Sequence, residues 1–89
     1  MTDSVTESGS YKNFTASVTL APTNSHIRLL GIFVATTSGG TIQLLDGANN
    51  VVSAFTPLAG TFYPLPFEFM PSLVITVVGT LDATASYSV

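Results

Sequence analysis

The side chains in this sequence equipped for chemistry are few: His26 beside Ser25, the carboxylates Asp46, Glu68 and Asp82, and a proline-punctuated aromatic group of Phe62, Tyr63, Phe67 and Phe69. Ser25 and His26, with Asp46 or Asp82 as a third member, have the residue types of a nucleophile, base and acid. No nucleophile elbow or oxyanion loop accompanies them, and a histidine at the mouth of a strand ordinarily serves as a hydrogen-bonding partner. Paired carboxylates also suit glycoside hydrolysis, and carboxylate oxygens suit calcium. Yet Asp46 precedes Gly47 and Asp82 follows Gly79-Thr80-Leu81, positions where turns favour aspartate for its bonds to the backbone. Glu68 lies between Phe67 and Phe69 and faces away from them on an alternating strand; Arg28 is the cation of the body available to pair with it. Gly39-Gly40 lacks the helix and lysine of a phosphate loop and reads as a turn. The expectation is no catalytic residue, no cofactor and no metal; with no cysteine and one histidine, neither a disulfide nor an all-protein zinc cage is available.

The aromatic group has three uses to choose among: core, subunit interface, or a carbohydrate-stacking platform. Proline-punctuated aromatics near a sheet edge fill a core or an interface more often than they bind a ligand. Tyr11, Lys12, Phe62 and Tyr63 are the candidate interface residues.

Charge narrows the partners. Only 8% of the 89 residues are charged and 46% are hydrophobic, against about 25% charged in an average soluble domain. Serine and threonine fill 23 positions, and from Asn13 onward the formal charges are Arg28, Asp46, Glu68 and Asp82. A net charge of −3 with Lys12 and Arg28 as the only Lys or Arg excludes the basic face that nucleic acid requires and disfavours anionic membranes. No apolar run approaches the ~20 residues of a spanning helix, and the polar, acidic MTDSVTESGS is unlike a secretory signal. A hydroxyl-coated, weakly charged surface lacks the repulsion that keeps monomers apart. A domain this small buries only somewhat over ~60% of its unfolded surface, so oligomerisation is the natural source of further stability.

The elements that must position these residues are strands. Ser25 to Thr36 is apolar on both alternating faces, Ile27, Leu29, Phe33 and Ala35 on one and Leu30, Ile32 and Val34 on the other; this predicts a central strand covered on both sides. Asn13 to Leu20 alternates with Phe14, Ala16, Val18 and Leu20 inward. Ala21 to Ser25 and Thr37 to Gly40 read as turns. Asp46-Gly47 opens a hairpin between Thr41–Leu45 and Val51–Thr56. Pro64 and Pro66 confine Phe62–Phe69 to an edge strand or a crossing segment. Leu73–Val78 and Ala83–Val89 read as a closing hairpin about Gly79–Asp82. No window has helical periodicity. The sum is a single all-β domain over 13–89, a small antiparallel β-sandwich or jelly-roll-like barrel of about seven to eight strands, preceded by an extended arm over 1–12.

Residues Gly60–Pro66, GTFYPLP, and Ser72–Val89, SLVITVVGTLDATASYSV, resemble the small β-rich structural proteins of tailed bacteriophages, with the likeness running over roughly Ile27 to Val89. The resemblance implies a non-enzymatic virion component, a head decoration or cement subunit on the capsid surface. Its partners would be itself, as a symmetric homo-oligomer with a trimer as one option, and the major capsid protein. The other reading carried forward is a receptor- or carbohydrate-binding module of a tail or fibre, which a solvent-exposed aromatic pair would favour.

Overall fold

The computed structural model describes residues 10–20, 27–70 and 72–88, and every regular element among them is a strand. Two long strands carry the fold. β3 (Ile27–Asp46) and β7 (Leu73–Ser88) pair antiparallel from Arg28 opposite Ser88 to Asp46 opposite Leu73. β1 (Ser10–Phe14) and β2 (Val18–Leu20) line the free side of β7, while β4 (Asn49–Phe55), β5 (Thr61–Pro64) and β6 (Glu68–Phe69) line the free side of β3. The protein is all-β, and its seven described strands are hydrogen-bonded into one antiparallel sheet.

That sheet is folded over. A straight strand of 20 residues would span about 66 Å, yet the longest extent of the molecule is 41 Å. The edge chain shows where the bend falls: Phe14 pairs with Ala83 and Val18 with Ile75, so four residue steps on the edge match eight on β7. Each half is four strands wide. One holds β2, the start of β7, the end of β3 and β4; the other holds β1, the end of β7, the start of β3, and β5 with β6. Ile42, Leu44, Leu73 and Ile75 of the first half and Ile27, Leu29, Ile32, Val34, Ala83 and Ala85 of the second belong to one buried cluster, with Phe14, Phe69 and Leu81. No polar or charged side chain is buried among the described residues.

The corner corrects two sequence expectations. Thr37–Gly40 is not a turn and Gly79–Asp82 does not reverse the chain; both lie within continuous strands, paired through Ser38 and Gly39 opposite Thr80. Glycine clusters on two paired strands bend the ladder together instead of ending it. Gly39 and Gly79 have φ of 73° and 91°, the left-handed region closed to most side chains. A Cβ on Gly79 would also stand 2.9 Å from the Gly39 carbonyl oxygen, and one on Gly40 2.8 Å from that of Thr80.

Strand β3 is central, flanked by β7 and by β4, β5 and β6, but it is not covered on both faces. Ile27, Leu29, Ile32 and Val34 are all buried, while Leu30, Phe33 and Ala35 are exposed. The register explains this: Leu29 pairs with Tyr87 and Gly31 with Ser86, so Leu30 is an extra residue in the ladder. A bulge of this kind shifts the inward phase by one, and two half-faces merge into one.

The remaining expectations divide along the edges. The Asp46-Gly47 hairpin is present, with Asp46 opposite Asn49 and Gly47 at φ 63°. The expected strand over Asn13–Leu20 is interrupted after Phe14, and Ala16 is exposed where the chain crosses the corner; there the Ser17 hydroxyl accepts from the Val77 amide at 2.8 Å. The boundary placed after Lys12 falls inside β1, because Ser10, Tyr11 and Lys12 pair with Tyr87, Ser86 and Ala85. The rest of the arm, the turn at Ala21–Ser25, and Val89 lie outside the described residues.

Candidate functional site

Ser25 and His26 lie outside the described residues, and the carboxylates expected in turns have specific structural partners. Asp46 Oδ1 accepts from the Met70 amide at 3.0 Å, tying the β3–β4 hairpin to the end of β6. Asp82 Oδ1 accepts from Asn13 Nδ2 at 2.8 Å, and the same nitrogen lies 3.0 Å from the Ala83 carbonyl. Both aspartates join elements distant in sequence, rather than closing their own turns as expected. Glu68 stands directly opposite Arg28 in the antiparallel register of β6 and β3, the pairing that the sequence left open. Among the described residues no three His, Cys, Asp or Glu side chains gather as a metal site would require.

What the fold does assemble is an apolar face. In the half built on β1, β7, β3 and β5, successive rows across the strands alternate inward and outward. Phe14, Ala83, Val34 and Thr61 form an inward row; the next row, Asn13, Thr84, Phe33 and Phe62, points out. Phe33 and Phe62 are therefore cross-strand neighbours on the outer surface, 43% and 50% exposed. Beyond them Gly31 leaves a gap that the Phe62 ring fills, since a Cβ there would come within 2.3 Å of Phe62 Cζ. Leu30, pushed out by the bulge, is exposed beside them, and Phe67 and Met70 are exposed farther along the same side of β3.

The four candidate interface residues separate accordingly. Phe62 lies on the apolar face. Tyr11 is the most exposed large hydrophobic side chain among the described residues, opposite Ser86 in the row that contains Gly31. Lys12 is exposed, but its row is the core row of Ala85 and Ile32. Tyr63 belongs to the interior architecture: its ring meets Phe55 edge-on at 5.4 Å, and its hydroxyl accepts from the Leu58 amide at 2.8 Å. That contact staples β4 to β5 across the two halves. Of the remaining aromatics Phe69 is core and Phe67 is exposed. Sequence reading missed Phe33 and Leu30, which it assigned to a covered strand; the signal was Gly31, since an isolated glycine within a strand pattern marks a bulge or a close approach.

The edges of the sheet are blunted. β5 and the link to β6 carry Pro64 and Pro66, β2 is three residues long, and β1 carries Lys12 in a core-facing row. β4 shifts register twice against β3. Prolines, short strands, inward-row charges and bulges are the devices that keep an edge from pairing with another chain. Comparison with protein-family models, curated proteins and solved structures finds no match.

Proposed function

We propose that this chain is a non-enzymatic structural component of a tailed-bacteriophage virion, a decoration or cement subunit that acts as a symmetric oligomer against the major capsid protein. The observation that carries this reading is the outward Leu30, Phe33 and Phe62 face. Exposed contiguous apolar surface marks an interaction site, and here it stands on a body with few charges and hydroxyl-rich flanks. In this reading the folded sheet supplies the two layers of a small β-sandwich, and the resemblance of Gly60–Pro66 and Ser72–Val89 to phage structural proteins gives the setting. A mass-spectrometric inventory of purified particles tests it: the chain should be present in many copies per particle, and its absence would refute the proposal.

The exposed Phe33 and Phe62 pair also favours a second reading, a carbohydrate- or receptor-binding module of a tail or fibre. Aromatic faces flanked by Asn13 and Thr84 offer stacking and hydrogen bonds together. A copy number matching tail components, with oligosaccharide binding abolished by Phe33→Ala, would establish this reading in place of the first.

A further inference from the structure

The end of the folded sheet away from the glycine corner holds a reactive pair, Asp46-Gly47. An aspartyl carboxyl is open to attack by the backbone nitrogen that follows it when that nitrogen belongs to glycine, which has no Cβ to shield it. The Gly47 nitrogen would bond to Asp46 Cγ; the protonated carboxyl loses its hydroxyl, the nitrogen loses its proton, and the two leave as water. Water then opens the resulting succinimide at either carbonyl. One product is the original aspartate. The other is isoaspartate, whose main chain runs through Cβ and is one atom longer.

The fold occupies each reacting group. Asp46 Oδ1 accepts from the Met70 amide at 3.0 Å, and the Gly47 amide donates to the Ser72 carbonyl at 3.3 Å. Met70 follows β6 and Ser72 precedes β7, so one connection restrains electrophile and nucleophile together. The backbone adds a third restraint. Asp46 is the last residue of β3, paired with Asn49 of β4 and Leu73 of β7; ring closure must swing its Cα–C bond out of the extended conformation and so break both pairings. We propose that Asp46-Gly47 is a self-modification site held shut by these bonds: the folded chain resists isomerisation, and a chain that opens at this end isomerises there. An extra main-chain atom at position 46 cannot keep both registers, and its carboxylate leaves the Met70 amide. The β3–β4 hairpin and its tie to β6 are lost together, so modification favours further opening. Asp82 supplies the internal comparison, because it is followed by Ala83, whose side chain shields the attacking nitrogen.

The test incubates the full chain at neutral pH and physiological temperature, folded and in unfolding guanidinium chloride. Peptide mapping with a protease that cuts before aspartate but not before isoaspartate reads each site. Isoaspartate should accumulate at position 46 at least about tenfold faster in the unfolded chain, since reaction of a protected group tracks local opening, and there it should outpace position 82. Met70→Pro removes the donating amide and leaves the reacting pair intact; it should raise the folded-state rate about fivefold, with circular dichroism to verify folding. Hydrogen exchange of the unsubstituted chain needs no variant: the Gly47 amide should be protected, and denaturant below the unfolding transition should speed its exchange and the isomerisation together. The purified isoaspartate form should unfold at a lower midpoint than the original chain. Equal rates in the folded and unfolded chains, a folded Met70→Pro chain with an unchanged rate, an unprotected Gly47 amide, or an unchanged midpoint would overturn the proposal.

Discussion

Gly31 shows how much one missing methyl group decides. The Phe62 ring lies over it, and the Tyr63 carbonyl oxygen would stand 2.6 Å from an added Cβ. Gly31→Ala must therefore displace both a ring and the backbone of β5, and we expect a loss of about 1 to 3 kcal/mol in denaturant unfolding. Adding Phe62→Ala should recover only part of it, because the carbonyl remains. At the corner, Gly39→Ala meets no atom within 4 Å and pays only for its positive φ, whereas Gly79→Ala meets the Gly39 carbonyl as well. The first should cost about 1 to 2 kcal/mol and the second measurably more; equal losses would show that crowding at the corner is unimportant. Asp46 belongs to the same scale. Its bond to the Met70 amide predicts that Asp46→Ala lowers stability by about 1 kcal/mol, read from the unfolding midpoint.

At the scale of the element, β3 is defined by its bulge. Because Leu30 is the extra residue, Ile32 is buried and Leu30 is not. Ile32→Ala should cost about 2 to 5 kcal/mol, while Leu30→Ala should fall near the small values of surface positions. A strand without the bulge would reverse that order. Much of the fold was legible in the sequence: the all-β class, the Asp46-Gly47 hairpin and the proline-marked edge follow from period-two alternation and turn chemistry, which are local. What was not legible follows from pairing between distant segments. Gly39-Gly40 and Gly79 look like turns when read alone, and only their position opposite each other makes them a bend in a continuous ladder. Phe33 likewise looked covered because the phase of β3 was carried straight through Gly31. Residues 1–12 were expected to be separable from the domain, but Ser10, Tyr11 and Lys12 supply three of the five β1 pairs with β7. Deleting 1–12 should therefore lower the unfolding midpoint, and an unchanged midpoint would show β1 to be dispensable.

The whole molecule is a sheet folded at a glycine corner around an apolar core, with its edges blunted and an exposed apolar patch of Leu30, Phe33 and Phe62 on one outer face. Phe33 and Phe62, half exposed, contribute only part of their apolar area to folding and leave the rest for a contact. That is why the face, more than any titratable group, organises the functional account. The central claim is the proposed virion role, and its most direct measurement is a cryo-electron microscopy reconstruction of particles purified from the source that encodes this chain. The account predicts density for this folded sheet on the outer capsid surface, at a copy number set by the capsid lattice and with the Phe33 and Phe62 face covered by protein. A capsid reconstructed without that density, or copies of the chain with this face open to solvent, would contradict it.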